Sequence, residues 1–86
     1  MKNLRNKLKT IVNEIAKEYE KKSFDNLSKL KFPIHLENQK FGKLKVWIEF
    51  NLLELNEKYI HIAISASAGG FTDFYPVSTS FIVNRK

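Results

Sequence analysis

The chain has no cysteine, two prolines, three glycines and only two arginines among its fifteen basic residues. Without cysteine there are no disulfides and no thiolate metal sites. That fits a reducing compartment, and a cytoplasmic location is expected. No apolar run approaches the roughly 18–20 residues of a membrane span, so no transmembrane segment is expected. The N-terminal stretch MKNLRNKLKTIVNEIAKEYE has basic residues but no continuous apolar core and no small-residue cleavage site, so it does not read as a signal peptide. Only two histidines are present, His35 and His61, well apart in sequence. A metal site needs three or four convergent ligands, so no metal and no cofactor is expected. There is no phosphate loop, no GxGxxG and no HExxH. Ser65, His61 and Asp73 supply the letters of a catalytic triad. However, Ser65 and His61 would sit four residues apart on one strand face, about 13 Å by strand rise and too far for a hydrogen bond. No enzyme activity and no small-molecule ligand are expected.

What is present is hydrophobic and aromatic: 43% apolar residues, with seven Phe, three Tyr and one Trp in 86 residues. That suffices for one folded domain spanning 1–86, with a thin core. The net charge of +6 is unevenly placed: residues 1–45 hold twelve Lys/Arg against five Asp/Glu, and residues 46–86 hold three against four. A basic half invites a nucleic-acid or anionic-membrane reading. Thirteen of the fifteen basic residues are Lys, however, and bidentate recognition of bases and phosphates favours Arg. The charge therefore reads first as a solvated surface.

The organising stretch is Lys43 to Ser67. Leu44, Val46, Ile48, Phe50 and Leu52 alternate with polar positions, then Ile60, Ile62, Ile64 and Ala66 do the same. Period-2 alternation marks half-buried strands, and the polar Asn56-Glu57-Lys58 break makes them an antiparallel hairpin. Leu52-Leu53-Glu54-Leu55 interrupts the alternation. Either a bulge or cover on both faces, as from a second copy of the chain, explains that. Upstream, Leu4, Leu8, Ile11, Val12, Ile15, Ala16 and Tyr19 form one face of a helix predicted from about residue 3 to 21. Ser23 to Lys31 reads as a short helical turn capped by Ser23 or Asp25, or as a compact loop. Phe32, Ile34 and Leu36 predict a short strand that Pro33 confines to a sheet edge or to a strand start. Asn38 to Gly42 is expected to be a turn. Val77, Thr79, Phe81 and Val83 mark the last strand.

The sum is an α+β domain: an N-terminal amphipathic helix packed on one face of a three- to four-stranded antiparallel meander, a two-layer sandwich. In layout it resembles cystatin-like helix-on-sheet arrangements. That resemblance rests on element order and implies a fold, not an activity.

The other sheet face would carry Lys43, Lys45, Trp47, Tyr59 and His61, a mixed surface with an exposed tryptophan. A solvent-facing Trp suggests a contact, as would the Asp73 and Tyr75 side chains of the aromatic segment Gly69–Pro76. Phe71 and Phe74 of that segment either plug the end of the core or belong to a recognition loop. Lys43, Lys45, Trp47, Tyr59, His61, Asp73 and Tyr75 are the expected partner-binding set. The favoured expectation is a small non-enzymatic interaction protein that binds another protein or forms a homodimer. The alternative is a nucleic-acid-binding domain using the basic half and a Trp47/Tyr59 stacking platform. That alternative requires Lys2, Lys9, Lys43 and Lys45 to converge.

Overall fold

The computed structural model describes residues 2–42, 44–69 and 76–85. Helix α1 spans Lys2–Glu20 and α2 spans Phe24–Ser28. The strands are β1 Ile34–Phe41, β2 Leu44–Leu55, β3 Tyr59–Ser67 and β4 Val77–Asn84. Among the described residues the four strands form one antiparallel sheet in the order β1-β2-β3-β4. The helices lie on one face of it, giving the expected α+β, helix-on-sheet arrangement.

The alternation of each strand dictates which side chains meet. Ile48 pairs with Ala66, Phe50 with Ile64 and Leu52 with Ile62. Ile62 in turn pairs with Phe81, and Ile60 with Val83. These residues point to the helix side. Leu8, Val12, Val46, Ile60, Ile62 and Ile64 lose all contact with solvent. Tyr19 bridges the layers, its ring centroid 4.8 Å from Phe50 and 6.4 Å from Phe81. α1 approaches β4 and β3 most closely. At 19 residues it is about 28 Å long, shorter than the 41 Å long axis of the molecule. The far end of the core is closed by α2. Ser23 caps that helix, its Oγ accepting from the Asn26 N–H at 3.1 Å, and Phe24 and Leu27 are buried beneath it. The Arg85 guanidinium lies 4.9 Å from the centre of the Phe24 ring, and the Arg85 N–H donates to the Lys58 carbonyl at 2.8 Å. One of the two arginines is thus used for packing.

Two irregularities set the register. The first is at Leu52–Glu54, where Leu52 pairs with Ile62 and Glu54 with His61, leaving Leu53 as the extra residue of a bulge. The bulge explains the broken alternation and returns Leu55 to the helix side opposite Ile60. The second corrects the sequence reading. Asn38 to Phe41 is not a turn, because β1 continues to Phe41, which pairs with Leu44; of the expected stretch only Gly42 lies in the turn. The register of β1 shifts between Leu36 and Gln39. That bulge ends the visible alternation two residues after Leu36, so a continuing strand looks like a loop in the sequence. Gly42 sits at φ 67°, which a two-residue hairpin connection requires and L-residues adopt at a cost. Pro33 immediately precedes the edge strand β1, as its missing N–H requires.

Candidate functional site

The sheet face away from the helices is the candidate interaction surface. Trp47 stands on it in β2, between the inward-pointing Val46 and Ile48, and keeps 40% of its surface in solvent. Its cross-strand partner in β3 is Ser67. α2 does not shield it, since Phe24 and Leu27 are packed into the core on the other side of the sheet. Beside Trp47 is a shallow hollow of about 220 Å³ lined by His35, Glu37, Glu49, Ser65 and Ser67 among others.

The polar groups around the hollow are pre-arranged by strand register. His35 of β1 pairs directly with Glu49 of β2. The imidazole Nδ1 lies 3.0 Å from Glu49 Oε2, and the Asn51 amide donates to the other carboxylate oxygen, Oε1, at 2.6 Å. Both partners of the His35–Glu49 pair remain about half exposed. Glu49 is therefore a fixed acceptor within reach of a partner. This cross-strand pair is not legible in the sequence, because its register depends on the two-residue Gly42-Lys43 connection and on the β1 bulge.

The predicted site residues fall into separate groups. Lys45 is exposed on the outer face two positions from Trp47. Tyr59 and His61 share that face but not that neighbourhood. With Trp47 opposite Ser67, Tyr59 lies eight residues further along β3, roughly 26 Å away by strand rise. Trp47 and Tyr59 do not make one platform. Lys43, Asp73 and Tyr75 lie outside the described residues. Lys9, on α1, belongs to the opposite layer from Lys45.

Tyr59 is engaged in the hairpin end. Its hydroxyl donates to Glu54 Oε1 at 2.8 Å, while the Asn56 amide donates to Glu54 Oε2 at 3.0 Å. Asn56 Oδ1 accepts from the Lys58 and Tyr59 N–H groups at 2.8 and 3.0 Å. This is an Asx-type closure of the β2–β3 turn. The hydrogen bond to Glu54 pushes the Tyr59 phenol above its ordinary pKa, with desolvation adding to the shift. A neutral phenol can donate to the carboxylate, whereas a phenolate would face it as a second anion. These contacts give Tyr59 a structural task. His61 is half-buried on the outer face, paired in register with Glu54 on one side and Ile82 on the other.

Among the described residues, no group of three or more His, Asp or Glu side chains is placed to hold a metal ion. Among the described residues, no helix is long and apolar enough to cross a membrane. Comparisons of the chain with protein-family models, with curated proteins and with solved structures find no match.

Proposed function

We propose that the protein is a small non-enzymatic interaction module of the cytoplasm, binding another protein or a second copy of itself through the outer sheet face centred on Trp47. One observation carries this reading. The only tryptophan keeps 40% of its surface exposed on the outer sheet face, beside a carboxylate already oriented by His35 and Asn51. Aromatic anchors next to fixed polar groups are the usual composition of an interface hot spot. The test is sedimentation equilibrium of the wild type and of Trp47→Ala across micromolar to millimolar protein. Association at these concentrations that Trp47→Ala removes, with the fold retained, supports self-recognition. A wild type that is monomeric throughout shifts the proposal to a different protein partner.

A nucleic-acid reading has one observation in its favour. Lys40 and Lys45 are direct cross-strand partners, and the hairpin end that carries them also borders the first turns of α1. Labelled single- and double-stranded oligonucleotides test it. Affinity that persists at near-physiological salt and falls in Lys40→Glu and Lys45→Glu would favour nucleic acid. Binding confined to low salt would leave the +6 charge as a solubility feature.

A further inference from the structure

We infer that the open edge of β4 is a self-association seam, at which two copies of the chain pair strand to antiparallel strand into one continuous sheet. The seam is separate from the Trp47 face, since β4 lies two strands away from β2.

The two edges of the sheet differ in kind. β1 carries Glu37 and Lys40, and its register shifts between Leu36 and Gln39. Charges and bulges are the devices that keep an edge strand from pairing with another chain. β4 has neither. Its eight residues, VSTSFIVN, contain no charge, no proline and no glycine. All of them stay in unbroken register with β3. Among the described residues β4 pairs with β3 alone. Ile82, on its outer side, leaves 50% of its surface in water.

The phase of the hydrogen bonds shows which groups are left over. The Arg85 N–H donates to the Lys58 carbonyl at 2.8 Å, one position beyond the Tyr59–Asn84 pair. Bonded and non-bonded pairs alternate along an antiparallel ladder. Val77, Thr79, Phe81 and Val83 therefore bond to β3. Ser78, Ser80, Ile82 and Asn84 turn their N–H and C=O groups to the open edge, and all four are exposed.

A second copy matches this edge. In an antiparallel pair with its two-fold axis at Phe81, Ser80 meets the second copy's Ile82, and Ser78 meets its Asn84. Each such pair exchanges two N–H···O=C bonds, so the outward groups of all four residues are satisfied. Ile82 comes diagonal to the second copy's Ile82, at about 7–8 Å and within side-chain reach. On the helix side Thr79 and Val83, both half-buried, face each other across the seam and extend the core. The net charge of +6 does not oppose this contact, because β4 brings no charge to it. α1 touches β3 as well as β4. A helix seated over the gap between them has its axis about 5 Å inside the seam, which sets two such axes about 10 Å apart, the spacing of packed helices. The β1 edges stay protected, so assembly closes at two chains.

Sedimentation equilibrium of the full chain, across micromolar to millimolar protein, should give a dimer with a Kd below about 100 µM and nothing larger. Amide hydrogen exchange supplies the specific readout. Ser78, Ser80, Ile82 and Asn84 should gain protection as concentration rises, whereas Thr79, Phe81 and Val83 are protected by β3 at every concentration. Ser80→Pro removes an N–H that β3 does not use, and Ile82→Lys sets like charges diagonally across the seam. Each should weaken the dimer about tenfold or more while circular dichroism is unchanged. Trp47→Ala should leave the dimer intact. The inference is overturned by a chain that stays monomeric to millimolar concentration, by open-ended oligomers, by concentration-independent exchange at the four edge amides, or by a dimer that survives both β4 substitutions. A dimer lost in Trp47→Ala and kept in both β4 variants would overturn the seam and support the outer face as the self-association surface. A dimer lost only in the β4 variants supports the seam and leaves the Trp47 face for a different protein.

Discussion

Replacing Trp47 with alanine is the perturbation that best separates an interface residue from a core residue. Trp47 retains 40% of its surface in water, whereas Phe50, three residues on and facing the helices, retains 1%. A tryptophan side chain offers roughly 250 Å² to bury, so its covered share here is about 150 Å². At about 25 cal/mol per Å² that sets an upper bound near 4 kcal/mol. Compaction of the unfolded chain lowers this figure. Loss of Trp47 also opens onto solvent instead of leaving an enclosed cavity. The expected cost of Trp47→Ala is therefore about 2 kcal/mol, against about 3–5 kcal/mol for Phe50→Ala, which leaves a true void beside Tyr19. Urea unfolding followed by circular dichroism gives both values, because the substitution removes the only tryptophan and with it the fluorescence probe. A cost for Trp47→Ala equal to that of Phe50→Ala, or an unfolded variant, would refute the reasoning. Trp47 would then be a structural residue with no surface to spare for a partner.

The hairpins yield three further expectations. Deleting Leu53 should cost no more than about 1 kcal/mol, because it removes the extra residue of the bulge and leaves Leu52 and Leu55 on the helix side; a deletion variant that loses its cooperative urea transition would contradict the assigned register. Gly42→Ala should cost about 1–2 kcal/mol from the φ of 67° alone, since an added Cβ meets nothing within 4 Å, and Gly42→Asn should recover part of that loss in the same denaturation assay. Tyr59, compared with Tyr59→Phe in a titration at 295 nm, should ionise above the ordinary phenol range, and Glu54→Gln should bring it back down. Because the folded-state pKa is raised, this contribution to stability is complete below the unfolded phenol pKa of about 10 and fades as pH rises through the folded value.

The parts of the fold set by periodicity were legible in the chain. α1 was readable from its apolar stripe, and β2, β3 and β4 from alternation. The Leu52–Leu55 irregularity carried its own signal in two adjacent leucines. The extent of β1 was hidden, because a bulge after Leu36 cancels alternation and the polar residues Glu37 to Lys40 suit an edge strand as well as a loop. That one error concealed the register between β1 and β2. The contacts His35–Glu49 and Lys40–Lys45 were concealed with it, since both depend on where the turn falls. The outward position of Trp47 was readable from its neighbours in β2. Its distance from Tyr59 was also implicit in the hairpin, because two residues near opposite ends of long paired strands cannot touch. The open hollow between Lys7, Ile11, Phe41 and Leu44 left no trace in the sequence. It depends on which strands the helix covers, and a helix stripe of this width is compatible with any two.

The central claim is that the outer face around Trp47 meets a protein. Photo-crosslinking from that position tests it most directly. Trp47→p-benzoylphenylalanine is produced in cells and irradiated, with Glu57 at the exposed hairpin end as the control site, and adducts are identified by mass spectrometry. The account predicts a discrete protein adduct, either one partner or a second copy of the chain, that is strong from position 47 and absent from position 57. Adducts to nucleic acid alone, or no adduct above the Glu57 control, would contradict it.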